Sequence, residues 1–378
     1  ALTFERTGAI AAAATTSLPE WIGGERNWDY RYSWIRDSVF AVRALHQLGF
    51  MREADRFACF IQRSAGGEAE QLQTLFGVDG HRRSIEVELP ALAGYRGSKP
   101  VRIGNAAATQ LQLDAYGELL ELAWLRYRFG RDIAADWGFL ADIVDVAARR
   151  WSEPDFGIWE VRTEPQHFVF SKALCWVALH RGIELARACD LPAPLEHWCR
   201  TRDAIRHEIE TEGYDARHGR FRQAYGSGKA DASLLLLPWF EFLPYDDPRM
   251  VRTVDHVIAE LDKGGLVRRY DADDGLRGPE GVFVPCTFWL VDCLARQGRM
   301  EDAQRYYDRA SACANDLGIY SEEFDVDGNA MLGNFAQGLT HMAQIIARLA
   351  LAKENWRDER RNGSTSSART LHCSGIQR

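Results

Sequence analysis

Gly281-Val-Phe-Val-Pro-Cys-Thr-Phe-Trp-Leu290 is apolar on nearly every side of a helix, whereas Met300-Glu-Asp-Ala-Gln-Arg-Tyr-Tyr307, a short turn later, carries its apolar groups on one stripe. A helix surrounded by others reads as the first kind, and one lying on the outside of a core reads as the second. The alternation continues outward from this pair. Apolar residues recur at helical spacing over roughly 37–49, 52–65, 104–129, 132–151, 167–188, 195–212, 229–241, 247–262, 281–297, 299–314 and 334–352, with short Gly, Pro and Asp-rich connections between them. Alternating inner and outer helices predict an all-α fold closed into a double ring, an (α/α)6 barrel. No fixed-period repeat of the kind that builds an open α-solenoid is present. The pattern predicts eleven helices, one short of the twelve a complete double ring contains.

The 378 residues are 46% hydrophobic and 26% charged, with 46 Lys+Arg against 54 Asp+Glu, a formal charge of −8. That composition excludes a disordered or collagenous chain. The acidic balance provides no electrostatic footprint for nucleic acid or for an anionic membrane surface. No apolar run approaches membrane-spanning length, the longest candidate being Leu234-Leu-Leu-Leu-Pro-Trp-Phe240. The eight cysteines form no CxxC pair and no metal-ligand spacing, and several fall inside apolar helical stretches, so reduced thiols, a cytoplasmic location and no zinc site are expected. No GxGxxG or P-loop supports a nucleotide cofactor, and no cofactor is expected. The stretch from Asn362-Gly-Ser-Thr-Ser-Ser-Ala368 onward is polar and aperiodic, so the barrel is expected over 1–356 and a disordered tail over 357–378.

The twelve tryptophans suit a neutral, ring-shaped ligand, because an indole is flat and apolar on its face and donates a hydrogen bond from its edge. The loops rich in aromatic, Arg and Glu residues, 66–103, 152–166, 213–228, 263–280 and 315–333, each lead from an outer helix to the next inner one. In a closed ring all five open on the same end. Two of them set a Glu among such residues, in Asp155-Phe-Gly-Ile-Trp-Glu160-Val-Arg and in Leu317-Gly-Ile-Tyr-Ser-Glu322-Glu323-Phe-Asp325. Metal-free glycoside hydrolysis needs two carboxyl groups, one protonating the leaving oxygen and one activating water. Glu160, whose neighbour Trp159 would desolvate the carboxyl and raise its pKa, is the candidate acid. Glu322, in an acidic group with Glu323 and Asp325, is the candidate base that stays ionised. Solvated loop surface is the commoner use of either Glu alone.

Asn27-Trp-Asp-Tyr-Arg-Tyr-Ser-Trp34-Ile-Arg36-Asp37 is denser still. It reads either as an Arg–Asp pair packed between rings or as a clamp in which Arg36 and Asp37 bond a sugar's hydroxyls while Trp34 covers its face. Asp37 also suits the N-cap of the following helix. Gly275-Leu-Arg277-Gly-Pro-Glu280-Gly is a second charged pair on a turn, either clamp or cap. In Arg102-Ile-Gly-Asn105-Ala-Ala-Ala-Thr-Gln110-Leu-Gln112-Leu-Asp114, buried hydrogen-bonded support and direct ligand contact are equally good readings.

At these residues the chain resembles glycoside hydrolase family 15, the glucoamylase-like family that includes bacterial and archaeal glucoamylases, glucodextranases and trehalases. The matching stretches are GGERNWDYRYSWIRD, GSKPVRIGNAAATQLQLDAYGE, GIWEVRTEPQHFVFSKALCWVAL, EGVFVPCTFWLVDCLA and YSEEFDVDGNAMLGNFAQGLTHMA, spread over about residues 23–343. The resemblance implies an (α/α)6 barrel and inverting release of glucose from a non-reducing α-glucosyl end, the substrate being an α-glucan oligosaccharide or the disaccharide trehalose. It implies Glu160 as general acid, Glu322 as general base, and Trp34, Arg36, Asp37 and Arg277 around the terminal glucosyl unit. Trp159 and Glu280 are expected beside them, and Glu323 as a neighbour of the base. Bacterial relatives carry an N-terminal β-sandwich domain and a helix entering the barrel, and this chain starts just after where that helix would lie, which accounts for the count of eleven. Two other readings remain: a phosphorolytic barrel enzyme, which needs phosphate in place of a base, and a non-catalytic glycan-binding or regulatory protein.

Overall fold

A computed structural model describes residues 2–67, 69–82 and 84–352. Its ten α-helices are α1 (Ile35–Gln47), α2 (Met51–Ala65), α3 (Asp114–Arg128), α4 (Trp137–Arg150), α5 (Val169–Ala188), α6 (Leu195–Thr211), α7 (Pro248–Leu261), α8 (Val284–Arg296), α9 (Met300–Ser311) and α10 (Gly338–Leu351). α3 packs between α1 and α5, α8 packs on α10, and α10 packs back on α1. The short 3-10 helix Ala232–Leu236 touches both α5 and α8 and completes an inner ring of six segments. Outside it, α2 lies on α1, α4 on α3 and α5, α6 on α5, α7 on the 3-10 segment and α9 on α8. The predicted all-α double ring is the observed one.

Burial follows the sequence pattern that predicted it. Every residue of α8 from Val284 to Ala295 is buried, whereas α9 buries only Ala303, Tyr306 and Ala310, spaced three and four apart on one stripe. α3 and α5 approach closely at Gly117, where a Cβ would lie 2.3 Å from the carbonyl oxygen of Leu174, so only glycine fits that crossing. Arg181 of α5 is 1% exposed. Its guanidinium bonds Glu121 of α3 and Glu184 of α5, both at 2.7 Å, and Glu241 beyond the 3-10 segment at 2.8 Å. One cation thus joins α3, α5 and the turn that follows the 3-10 segment.

Four boundaries differ from the sequence pattern, each for a local reason. Residues 104–113 do not extend α3: the Asn105 side chain accepts from the Ala107 N–H at 2.9 Å and starts a separate 3-10 turn, Ala106–Thr109. The helix expected at 229–241 is the 3-10 segment followed by turns, capped by Asp231 on the Ser233 N–H and ended ahead of Pro238, which has no N–H to continue a helix. Residues 334 and 335 end a strand, and α10 begins at Gly338, where the Gln337 side chain accepts from the Leu339 N–H. Asp37 is not an N-cap, since α1 starts at Ile35 behind Trp34 and Asp37 lies in its first turn.

Among the described residues six small antiparallel sheets lie outside the helices, five of them in the connections or running into a helix, and the helical periodicity had not revealed them. Tyr32–Trp34 pairs with Leu75–Gly77, and Ser321–Asp325 lies between Val282–Phe283 and Ala330–Phe335. Among the described residues no helix is long and apolar enough to cross a membrane. Cys175, Cys286 and Cys293 are buried and form no disulfides. The tail expected at 357–378 lies outside the described residues.

Removing the Arg181 cation leaves Glu121, 2% exposed, as a buried charge without its partner. Arg181→Met is expected to destabilise the protein by about 3–5 kcal/mol, measured by chemical denaturation, because breaking one side of a buried pair costs more than the pair contributes.

Candidate active site

A cavity opens at the end of the ring where the connections into the inner segments converge. It is lined by residues of 12–37, 105–107, 158–162, 269–289 and 322–339, with about 820 Å³ of empty space, part of it open to solvent. Glu160 and Glu322 both face this cavity, from connections on different sides of the ring.

Glu160 sits on a loop closed at its neck by Asp155 and Gln166, which exchange backbone hydrogen bonds of 2.9 and 2.8 Å. Asp155 also accepts from the Leu113 N–H at 2.9 Å, tying the loop to the start of α3. Glu160 itself has φ +57°, left-handed backbone that residues with a Cβ seldom adopt. Its Oε1 accepts from the Trp34 indole N–H at 2.9 Å and lies 3.3 Å from Arg36 Nη2, while Arg36 Nη1 donates to the Ile158 carbonyl at 2.6 Å. Trp34 and Arg36 are delivered together because the strand Tyr32–Trp34 runs directly into α1. Asp37 follows on the same turn, and burial pushes its carboxyl up to about 6 against the pull of Arg36. Trp159 does not point its N–H into the cavity; it donates to Asp231 at 2.9 Å, and its ring meets Phe283 edge-on at 5.5 Å.

Glu322 comes from the strand Ser321–Asp325, whose pairing with Ala330–Phe335 is irregular between Ser321 and Glu323. Such an irregularity re-aims the side chain at the break. Glu322 is 2% exposed and its Oε2 has no hydrogen-bond partner in the protein. Gly333, with φ +73°, makes room for it: a Cβ there would lie 3.0 Å from Oε2. Burial and, after it, the charge of Glu20 push the Glu322 carboxyl well above the usual range, while Arg269 and a hydrogen bond from Tyr30 pull it back. The expectation that Glu322 simply stays ionised therefore meets an opposing environment.

Behind Glu322 lies a dense ionic group. Arg269, 7% exposed, reaches Glu280 Oε2 at 2.5 Å, Glu20 Oε2 at 3.1 Å and Glu323 Oε1 at 3.4 Å. Arg26 bonds Asp274 at 2.5 Å and approaches Glu280 at 3.4 Å. Oxygens of Glu20, Glu280 and Glu323 lie within 4.8 Å of one another, a spacing that suits a cation. The Arg269 guanidinium already occupies that role, so this group is poorly suited to a metal.

A family profile, Glycosyl hydrolases family 15, matches residues 2–301. The chain belongs to that family. Among curated family relatives, the trehalase of Mycobacterium tuberculosis (strain ATCC 25618 / H37Rv) is 46% identical over 353 residues, covering 92% of this chain and 52% of the relative. The trehalase of Thermoplasma acidophilum is 41% identical over 346 residues, 91% of this chain and 59% of its own length. The chain thus spans about half the length of the curated relatives it matches. A wild-type glycosidase structure superposes with TM-score 0.71 at 21% identity, covering 92% of both chains. A bacterial glucoamylase complexed with acarbose gives TM-score 0.69 at 16% identity, covering 92% of this chain and 53% of that one. Both likenesses concern the barrel fold.

Of the residues expected from the sequence and the family resemblance, Glu160, Glu322, Trp34, Arg36, Asp37 and Trp159 line the one cavity. Arg277 does not: it is exposed on its loop, and the Glu25 carboxylate accepts from its backbone N–H. Glu280 faces a neighbouring cleft and is held by Arg269 and Arg26. Glu323 is fully buried behind the wall, accepting from the Gly281 N–H at 2.8 Å. The cavity residues that sequence reasoning missed include Glu20, Tyr30, Arg269 and Asp274. Arg269-Tyr270, one residue past the paired strand Leu266–Val267, was the available signal, since a charged and aromatic pair at a hairpin's exit is aimed by the hairpin.

Asp155 is fully buried, and burial, with the charge of Asp114, pushes its carboxyl up to about 7. A carboxyl raised in the folded state binds a proton there between about pH 4 and 7 that the unfolded chain has already lost, so its contribution to stability falls as pH rises through that window. Asp155→Asn is therefore expected to gain stability relative to wild type from pH 4 to pH 8, by roughly 1.4 kcal/mol for each unit of the shift removed. Unfolding free energies at the two pH values check this, and a variant-to-wild-type difference independent of pH would contradict it.

Proposed function

We propose that the protein is an inverting, exo-acting α-glucoside hydrolase whose substrate is trehalose. The observation that carries the reading is the placement of Glu160 and Glu322 on different connections of the ring, both facing one cavity. The named relatives at 46% and 41% identity, both trehalases, favour trehalose over α-1,4- or α-1,6-glucans.

In this reading the glucosyl unit to be transferred lies in the inner part of the cavity, against Trp34, Arg36, Asp37 and Trp159, and Arg269 takes the binding role expected of Arg277. Glu160 donates its proton to the glycosidic oxygen as the bond from the anomeric carbon to that oxygen breaks. Glu322 takes a proton from a water that attacks the same carbon from the opposite face. The products are two glucose molecules, and the one formed by water attack has the inverted, β configuration. Carboxyl groups about 6.5–9.5 Å apart leave room for the water. Trp34 and Arg36 fix the direction of the acid, and Tyr30 and Arg269 limit how far burial and Glu20 raise the base. The buried thiols of Cys175, Cys286 and Cys293 suit a reducing compartment, and the same reading places the protein in the cytoplasm.

Assay of glucose release from trehalose, maltose, starch and isomaltose, with and without phosphate, tests the proposal. Trehalose should be turned over fastest with no need of phosphate as a reactant; glucose 1-phosphate as product, or binding without turnover, would overturn it. Glu160→Gln and Glu322→Gln should each lower kcat by roughly 10²- to 10⁴-fold, the usual contribution of a general acid or base, with little change in substrate affinity.

The raised carboxyl of Glu322 fixes a further outcome. A base must be ionised, so kcat/KM should fall with decreasing pH through a midpoint above the usual glutamate range. Glu20→Gln removes the charge that pushes Glu322 up and should move that midpoint to lower pH, in a pH profile of kcat/KM.

A further inference from the structure

Gln110 lies between the 3-10 turn Ala106–Thr109 and α3 and does not line the main cavity. Its side-chain Nε2 donates to the Val161 carbonyl at 3.1 Å and reaches the Glu160 carbonyl at 3.4 Å. Its Oε1 accepts from Gln112 Nε2 at 3.3 Å, and Gln112 is buried, so the amide is oriented with its N–H groups toward the loop. One carboxamide therefore spans the two successive peptide carbonyls at and after Glu160. Those peptides need an external hold, because Glu160 is left-handed and the loop between Asp155 and Gln166 has no regular ladder of its own. The carboxylate end of Glu160 is held from the other side by Trp34 and Arg36.

We propose that Gln110 is a positioning residue for Glu160, setting the backbone from which the acid reaches the glycosidic oxygen. The inference rests on the hydrolase reading above. With Gln110 shortened, the peptide after Glu160 loses its donor and the carboxyl is no longer held in line with the leaving oxygen. A misplacement of about 1 Å in a reacting group costs on the order of 100-fold.

The test compares trehalose with α-glucosyl fluoride in the full chain. Fluoride departs with far less need of protonation than a sugar hydroxyl, so a defect confined to the acid shows on the first substrate and is largely absent on the second. Gln110→Ala should lower kcat on trehalose by roughly 10- to 100-fold with KM nearly unchanged, and lower fluoride turnover less than about 3-fold. Gln110→Glu keeps the length but sets a carboxylate against two carbonyls, and should show the same split. Turnover of the fluoride near the wild-type rate also reports that the variant site is folded. Equal losses on the two substrates, or no loss on trehalose, would overturn the positioning role. Wild-type protein inactive on both substrates would instead overturn the hydrolase reading, and this inference with it.

Discussion

Packing of α10 back on α1 closes the inner ring, and the rest of the molecule depends on that closure. Once six inner segments form a ring in one direction, the chain entering each of them arrives at the same end. Trp34, Arg36 and Asp37 stand at the start of α1, Asn105 and Ala107 before α3, Ile158–Arg162 before α5, Phe283 before α8, and Gln337 and Leu339 at the start of α10. The cavity needs no device of its own to gather these residues. The tight crossing at Gly117 and the Arg181 cation between α3, α5 and the turn after the 3-10 segment act on that same ring rather than on the cavity.

The second constraint is charge. The cavity and its wall hold Glu20, Asp37, Glu160, Asp274, Glu280, Glu322 and Glu323 against the guanidinium groups of Arg26, Arg36 and Arg269. Carboxylates outnumber cations, and burial drives Glu20, Asp37, Glu322 and Glu323 toward the neutral form against the pull of the arginines. Arg36 stays with Glu160 and Arg26 with Asp274, whose carboxyl their bond and that of Tyr270 carry below the usual range despite burial. Arg269 is shared among three carboxylates, and Glu20 rises to about 7. The two carboxyls assigned to chemistry thus stand in different surroundings: one hydrogen-bonded by an indole and a guanidinium, the other enclosed with one oxygen free.

Much of this was legible in the sequence because inner and outer helices differ in how many sides they bury. The contrast between Gly281–Leu290 and Met300–Tyr307 is a direct consequence of ring geometry. Most of the short hairpins were hidden because two- and three-residue strands leave no periodicity to read; Ser321–Asp325 and Ala330–Phe335 are longer. The segment at 229–241 looked helical because its leucines are buried in any conformation, while Asp231 and Pro238 decide that it becomes a 3-10 turn. In the site, Glu160, Glu322, Trp34, Arg36 and Asp37 stood out as charged and aromatic residues in dense loops. Arg277 and Arg269 flank the same turn, and only the strand pairing of 262–267 shows which one faces the cavity. Glu20 left no signal, since Leu18-Pro-Glu20-Trp21 reads as an ordinary turn and gains its role from a partner 249 residues away.

The central claim is that Glu160 and Glu322 act across one cavity as acid and base, with water attacking the anomeric carbon directly. Proton NMR of the first turnovers of trehalose, before mutarotation, tests it most directly. Direct attack predicts β-glucose from the attacked unit and α-glucose from the leaving unit in equal amounts. Release of α-glucose alone would require a covalent intermediate and would contradict the account.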